Sequence, residues 1–555
     1  MKTVIVGAVA AGMSAATRLR RLDEGHEIVV FEAGEHVSFA NCGLPYYLGG
    51  VIDERASLLL QTPQSLRDRF NLDVRVNSRV VSIDPDACTV TVVSATHGQY
   101  VESYDHLVLA PGARPIAPQV PGAERALALR DVADVDRLDA AVSNATTAVV
   151  IGAGFVGLEV AENLHRRGMD VTIVELAPQV LSALDPEMAV RVHDRLEATG
   201  VRVLVNSQVT AISEAAVTVR AGGSTFEVPA QVVVAAIGVT PDAALATTAG
   251  IATGPRGAIL VDDHLRTSVD RIYAVGDVAA KRDAFSDEPA LIPLANLANR
   301  HGRRVADAIA GRRTPVPPSI GTAVVGVFGL TAAVTGRTER RLAAEGRAHR
   351  VIHAHPLDHA GYYPGASQMA LKLLVDPQTD QILGAQGVGE AGVDKRIDVI
   401  ATAMAGGLTA SSLVDLELAY APAYGSAKDP VNMLGYVADN GASGDTPTLQ
   451  WHELARATDA PFVLDVRSHA EHARGTVEVE WQEPCVIPLD ELRARHGELP
   501  RTGRIVVHCQ VGQRGHSATR LLRQLGYDAV NLDGGWLTWR DGARSSLLHD
   551  ENGSI

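Results

Sequence analysis

Short apolar runs, each closed by glycine or proline and followed by a segment of helical length, set the rhythm of the first half of the chain. Val4-Ile5-Val6 leads into a glycine turn at 7–12, an apolar and basic segment to about Leu22, and a second apolar run at 28–31. The pattern recurs at Val149-Val150-Ile151, with a turn at 152–157, a helix to about Arg167 and a strand at 171–174. Strand, turn, helix and strand in this order predict β-α-β units and parallel sheets covered on both faces. Residues 106–109, 231–237 and 272–275 are further predicted strands, because each apolar run stops at Ala110-Pro111-Gly112, Gly238 or Gly276-Asp277.

The texture changes at Pro315, Pro317 and Pro318, which read as a connector. The stretch to about residue 438 mixes strands with helices; within it 320–336 has no charge, but its four glycines predict buried strands rather than a membrane span. Asp439-Asn440-Gly441-Ala442-Ser443-Gly444-Asp445-Thr446-Pro447 reads as a polar linker. Residues 449–542 read as a separate small α/β domain. At the N-terminus, Lys2 and the apolar stretch 4–16 have the look of a signal peptide; the basic segment 18–21 and the strand ending at Glu32 favour a buried strand, turn and helix.

At 555 residues the chain needs several cores, roughly one per 100 to 200 residues. Hydrophobic residues are 46% and aromatics only 4%, so aliphatic side chains fill most of the interior. The net charge of −15, with no basic stripe, excludes nucleic acid as a partner. Four cysteines, Cys42, Cys88, Cys485 and Cys509, are too few for a disulfide framework, and none has metal-site spacing. A reducing, cytoplasmic setting, no membrane partner and no metal are expected, with any functional cysteine acting as a thiol.

Gly152-Ala153-Gly154-Phe155-Val156-Gly157 fits G-x-G-x-x-G between a strand and a helix, where the backbone approaches a pyrophosphate at the helix N-terminus. Glu175, ending the next strand, suits the adenosine ribose and repels a 2′-phosphate, so NADH is expected ahead of NADPH, which the nearby Arg166 and Arg167 keep open. The alternative is a glycine turn needed only for helix–strand packing. Gly7-Ala8-Val9-Ala10-Ala11-Gly12 keeps the outer glycines but has Val9 in the middle; Glu32 again ends the following strand. Asp277, just beyond a strand, suits a ribityl or phosphate group.

These spaced motifs, together with Ala110-Pro111-Gly112, resemble the two-dinucleotide flavoprotein disulfide reductase superfamily over residues 1–440. The resemblance implies an α/β fold of glutathione-reductase type. It has a discontinuous FAD-binding domain at 1–113 and 253–318, an NAD(P)H-binding domain at 114–252, and an α+β dimerisation domain at 319–438. After the linker at 439–447, the C-terminal domain would span 448–555. Ser38-Phe39-Ala40-Asn41-Cys42-Gly43-Leu44-Pro45-Tyr46-Tyr47 looks like the active-site segment of coenzyme A-disulfide reductases. Tyr47 stands where glutathione-reductase-like enzymes have a second cysteine, so Cys42 works alone, through a mixed disulfide, a persulfide or a sulfenic acid. A helix start and a nearby cation are expected to favour its thiolate.

By the same resemblance Ser14, Arg18, Arg21, Ser38, Asn41 and Lys428 contact CoA; Arg18 and Arg21 lie on one helix face, which also suits a merely solvated basic surface. Tyr362 and Tyr420, with Tyr424 behind them, point at the sulfur chemistry from the partner subunit, implying a homodimer. Related peroxidases carry a histidine in the first glycine turn; Ala10-Ala11 occupy that place here.

Cys509-Gln510-Val511-Gly512-Gln513-Arg514, between a strand at 505–508 and a helix from about Ser517, resembles the rhodanese active-site loop, and Asp533-Gly534-Gly535-Trp536 its closing motif. Backbone N–H groups and Arg514 would stabilise a thiolate or persulfide at Cys509. The stretch from Arg474-Gly475-Thr476-Val477 lacks the family's histidine, which weakens the case for thiosulfate transfer; the five-residue step from Cys509 to Arg514 also occurs in phosphatases. The expected activity is FAD-dependent, NAD(P)H-driven reduction of CoA disulfide, CoA persulfide or polysulfide at Cys42, with Cys509 relaying sulfane sulfur. The alternatives are an NADH oxidase or peroxidase, and a sulfur carrier or sensor working through Cys509. Cys88 and Cys485 receive no role.

Overall fold

The computed structural model describes residues 1–286, 288–312 and 315–551, so the last four residues of the expected C-terminal domain, 552–555, lie outside the described residues. The chain forms two compact units. The first comprises Met1–Ile173, Val209–Val219 and Phe226–Gly321; the second comprises Val174–Gln208, Arg220–Thr225 and the chain from Thr322 onward.

In the first unit, five parallel strands run in the order Ile272–Ala274, His106–Leu109, Lys2–Val6, Glu27–Phe31, Asp73–Arg75. Val4, Ile5, Val30, Leu107 and Val108 have essentially no exposure, because helices and a β meander cover the sheet on both sides. Each such side chain contributes about 1.5–3 kcal/mol through burial. The helix Ala10–Leu22 buries Ala11, Ala15, Ala16 and Leu19 and packs along the helix Ala295–Ile309. A Cβ at Gly302 would fall 2.2 Å from the Ala11 carbonyl oxygen, so glycine there is what lets the two helices touch. A second parallel sheet pairs Thr147–Ile151 with Val232–Ala235, and that strand with Ala126–Leu127. The helix Phe155–Arg166 follows its glycine turn.

In the second unit, five antiparallel strands run in the order Ala323–Val327, Leu330–Gly336, Ile382–Gly389, Ala370–Val375, Arg350–Ala354. The uncharged stretch at 320–336 is the first hairpin of this sheet. The helices Val393–Ala405 and Pro430–Ala442 pack on the sheet. The second of these differs from expectation: it runs through Asp439-Asn440-Gly441-Ala442, the first half of the predicted linker. Gly441 lies within this helix, and the Arg350 guanidinium stands 3.1 Å from where its Cβ would be. The C-terminal domain is a parallel sheet ordered Thr448–Leu449, Asp528–Leu532, Arg504–His508, Phe462–Asp465, Cys485–Val486. No helix among the described residues is long and apolar enough to cross a membrane.

Candidate functional site

Glycine placement separates packing from ligand binding in the two nucleotide turns. A Cβ at Gly7 would lie 2.2 Å from the Ala110 carbonyl oxygen, and one at Gly12 1.9 Å from the Gly7 carbonyl oxygen. Gly152 and Gly157 are crowded in the same way by Ala236 and Gly152. Gly154 differs: nothing stands within 4 Å of its Cβ position. Packing therefore accounts for the outer glycines and leaves open space at the middle one. In the first turn Val9 holds that place at φ −113°, outside the left-handed region that favours glycine.

Glu32 accepts from Ala8 N and Gly34 N, both at 2.9 Å. Beside it, Gly7, Ala33, Arg79, Pro111 and Asp242 help line a cavity of about 330 Å³. A carboxylate, a glycine turn and a cleft of this kind fit the adenosine half of FAD. Asp277 lies 3.2 Å from the Arg130 guanidinium, and the Arg130 carbonyl accepts from the Asn41 amide at 2.9 Å. Arg130, which sequence reasoning missed, thus ties the segment of Cys42 to that of Asp277.

Cys42 is exposed, within the single 3-10 turn Asn41–Gly43 that runs into the short helix Leu44–Leu48. Gly49, just past that helix, abuts Asn163 on Phe155–Arg166, and Arg167 donates to the Leu48 carbonyl at 3.0 Å. The helix that follows the second glycine turn is thereby anchored against the segment that follows the thiol. Two further groups missed in the sequence come with it: Tyr46 donates to Glu159 at 3.1 Å, and Glu159 faces Cys42 electrostatically. The expectation of a favoured thiolate is corrected. Loss of water around the sulfur, then Glu159, and after them Asp277, raise the Cys42 thiol above its ordinary value, and Arg130 only partly offsets them. The position of Glu159, two residues past Gly157 on a helix, was the available signal.

Of the predicted CoA contacts, Ser14 donates to the Asn299 carbonyl at 2.8 Å, and Asn41 is committed to Arg130 as described. Ser38 sits at φ 49°, its N–H donating to the Ala8 carbonyl at 2.8 Å. Arg18 pairs with Asp307 at 2.7 Å and lines a cavity of about 490 Å³ with Arg300, His301, Arg303, Arg304 and Arg312. Arg21 is exposed, outside that lining. Burial, with Lys281 and Arg300 behind it, lowers His301 to about 4, so its ring is neutral at neutral pH. In the second unit Tyr362 and Tyr420 are exposed and hydrogen-bonded to each other at 3.0 Å. Lys428 stands 5.8 Å from the Tyr436 ring centre and borders a separate cavity of about 300 Å³ with His355, Gly512, Gln513 and His516.

Cys509 is buried at the end of Arg504–His508, ahead of the helix Gln513–Gln524. The closing motif locks its loop: Trp536 N donates to the Cys509 carbonyl at 2.8 Å, Leu537 N to that of Gln510 at 3.1 Å. Arg514 faces the Cys509 sulfur electrostatically and is held by Glu471 through both end nitrogens, at 2.8 and 2.5 Å. Arg467 is buried against Asp465 and reaches Gln510 at 3.2 Å. Where the expected histidine is missing, Thr476 and His472 both reach Asp465 instead, at 3.3 and 3.0 Å.

The model of the pyridine nucleotide-disulphide oxidoreductases matches residues 1–302, its dimerisation domain 322–430 and the rhodanese-like domain 448–541. The chain belongs to the pyridine nucleotide-disulphide oxidoreductase family. It is therefore an oxidoreductase of a family that implies FAD and NAD(P)H, here carrying a rhodanese-like domain. The coenzyme A disulfide reductase of Staphylococcus haemolyticus is 34% identical over 441 residues, 79% of this chain and 99% of that protein. Over both chains almost entirely, the structure resembles reduced Bacillus anthracis CoADR-RHD, at 44% identity, coverage of 99% and 98%, and a TM-score of 0.95. It also resembles a NAD-dependent persulfide reductase from A. fulgidus, at 37% identity, coverage of 97% and 100%, and a TM-score of 0.90.

Proposed function

We propose that this oxidoreductase uses NADH to reduce CoA disulfide and CoA persulfide at Cys42, with Cys509 collecting sulfane sulfur for it. One observation carries the reading: an exposed cysteine with no second cysteine in its segment, in the same unit as an arginine-lined cavity suited to CoA's phosphates. FAD, when bound, supplies two-electron transfer between the nicotinamide and sulfur. Glu32 and Asp277 would hold its ribose and ribityl or phosphate groups, and Gly7 and Gly12 let the first turn close.

The chain's own chemistry is at Cys42. Its sulfur attacks the CoA-bearing sulfur of the substrate, giving a Cys42–CoA mixed disulfide and releasing sulfide from the persulfide or CoA from the disulfide. Two electrons then split the mixed disulfide and return CoA and the Cys42 thiolate. Overall, CoA persulfide, NADH and a proton give CoA, sulfide and NAD⁺. Tyr362 and Tyr420 of the other protomer of a homodimer donate hydrogen bonds to the departing thiolate. NADH is favoured because Arg166 is taken by Glu162 and Arg167 by Asp139, so neither is set aside for a 2′-phosphate. Lys428 contacts a CoA phosphate. Polysulfide reaches Cys42 by way of Cys509, and the four free cysteines suit a reducing cytoplasm.

Anaerobic NADH consumption with CoA persulfide and CoA disulfide, with sulfide followed in the parent, Cys42→Ser and Cys509→Ser, tests this. We expect fast turnover of both substrates, abolished by Cys42→Ser, and sulfide release only from the persulfide. No turnover with either, alongside rapid NADH oxidation once oxygen or peroxide is admitted, would sink it.

A further inference from the structure

Glu471 occupies the guanidinium that a doubly charged substrate would need at Cys509. Both end nitrogens of Arg514 are bound to its carboxylate, and Ser468 N and Oγ fix the same carboxylate from the other side, at 3.1 and 2.9 Å. The other arginine near the loop, Arg467, is likewise committed, to both oxygens of Asp465 and to the Gly475 carbonyl. The hydrogen bonds from Arg514 and Ser468 and the guanidinium charge hold Glu471 down to about 2 against the loss of water around it, so it stays ionised throughout the working range.

Resting on the reading of Cys509 as a sulfur acceptor, we infer that Glu471 is a specificity-determining residue that bars dianionic oxyanion donors from Cys509 and leaves organic persulfides as its substrates. Thiosulfate and phosphate monoesters each present a dianion, and a bidentate guanidinium is what recognises one. Here that dianion meets a carboxylate already seated in the fork, so binding costs both repulsion and a displaced ion pair. A persulfide brings only its sulfane sulfur to the loop. The Cys509 thiolate attacks that sulfur, the donor's S–S bond breaks, and its electron pair leaves on the organic thiolate; with thiosulfate the leaving group is sulfite. Either way Cys509 ends as a persulfide, stabilised by Arg514 and the loop N–H groups.

The test uses the full-length holoenzyme without NADH, cyanide as final acceptor and thiocyanate as readout, with thiosulfate or CoA persulfide as donor. Glu471→Gln keeps an acceptor for Ser468 and removes the charge. It is expected to raise kcat/KM for thiosulfate at least tenfold, mostly through KM, and to change that for CoA persulfide less than threefold. Adding Arg514→Ala should erase the gain. Should the glutamine variant fail to fold by circular dichroism, Glu471→Ser is read in the same way. A thiosulfate-to-persulfide ratio unmoved by Glu471→Gln, in an enzyme whose transfer needs Cys509, overturns the role of Glu471 alone. Transfer that survives Cys509→Ser overturns the reading of Cys509, and this inference with it.

Discussion

Glu159 reaches Cys42 because Gly49 lets the cysteine segment settle against Asn163, one helical turn from Glu159 on the same helix. The sequence shows Cys42 at a helix start and suggests a stabilised thiolate; it does not show that a carboxylate from the second nucleotide fold, over a hundred residues away, arrives beside the sulfur. The result is a thiol whose pKa is raised, although the residue has an exposed face, by partial loss of water around the sulfur and by Glu159. Glu159→Gln removes a negative charge, so the Cys42 pKa should fall. At pH 7.5, below that pKa, the thiolate fraction should rise, and alkylation of the NADH-reduced holoenzyme by iodoacetamide should quicken roughly threefold, about half a pKa unit. An unchanged or slower rate would show that Glu159 does not reach the sulfur electrostatically. The glycines of the second turn were more legible than Cys42's surroundings, since their spacing alone marks them; only the structure separates Gly154, with open space at its Cβ position, from Gly152 and Gly157, which the backbone requires.

Among the elements, both β-α-β units lie where the apolar pattern put them, because three-residue valine and isoleucine runs closed by glycine have few other ways to be buried. Asp439-Asn440-Gly441 misled because its residues favour turns in isolation, whereas here they end a helix whose Val431, Leu434 and Ala438 are buried in the domain core. Wholly illegible was a buried charge network drawn from five separate stretches of chain. Lys372, fully buried, meets Asp185, Glu187 and Glu339 at 3.0, 2.6 and 2.6 Å. These three carboxylates converge as a metal site would, but the ammonium stands among them. Next to it, His353 bonds Glu187 at 3.1 Å and Asp533 of the rhodanese closing motif at 2.8 Å. Those two carboxylates outweigh burial and raise His353 to about 9.

A histidine whose pKa is raised on folding stabilises the protein fully below its unfolded value of about 6.5, and the contribution fades as pH climbs through about 9. Thermal stability of the parent should therefore fall between pH 7 and 10. In His353→Gln, which does not titrate, the fall should be shallower, on a baseline lower by about 3 kcal/mol for the lost buried charge. Parallel pH profiles for the two proteins would remove His353 from the account. Because Asp533 begins the motif whose Trp536 and Leu537 hold the Cys509 loop, the same substitution should slow Cys509-dependent transfer more than reduction of CoA disulfide.

At the scale of the whole molecule, the tyrosines decide whether one chain makes a complete site. Tyr362 is 76% and Tyr420 49% exposed, and their hydroxyls bond each other rather than any deeper partner in their own unit. Two adjacent exposed phenols in a domain matched by a dimerisation model suit a face completed by a second copy. If each site takes Cys42 from one protomer and the tyrosines from the other, two crippled chains can repair one another. Cys42→Ser supplies intact tyrosines, and a Tyr362→Phe and Tyr420→Phe double variant supplies an intact cysteine. Random co-assembly makes half the dimers mixed, each with one whole site, so coexpression should recover about a quarter of parental CoA disulfide reductase activity where each variant alone has little. Were the tyrosines to act on the cysteine of their own chain, no mixed dimer would hold a whole site, and activity would stay at the level of the variants.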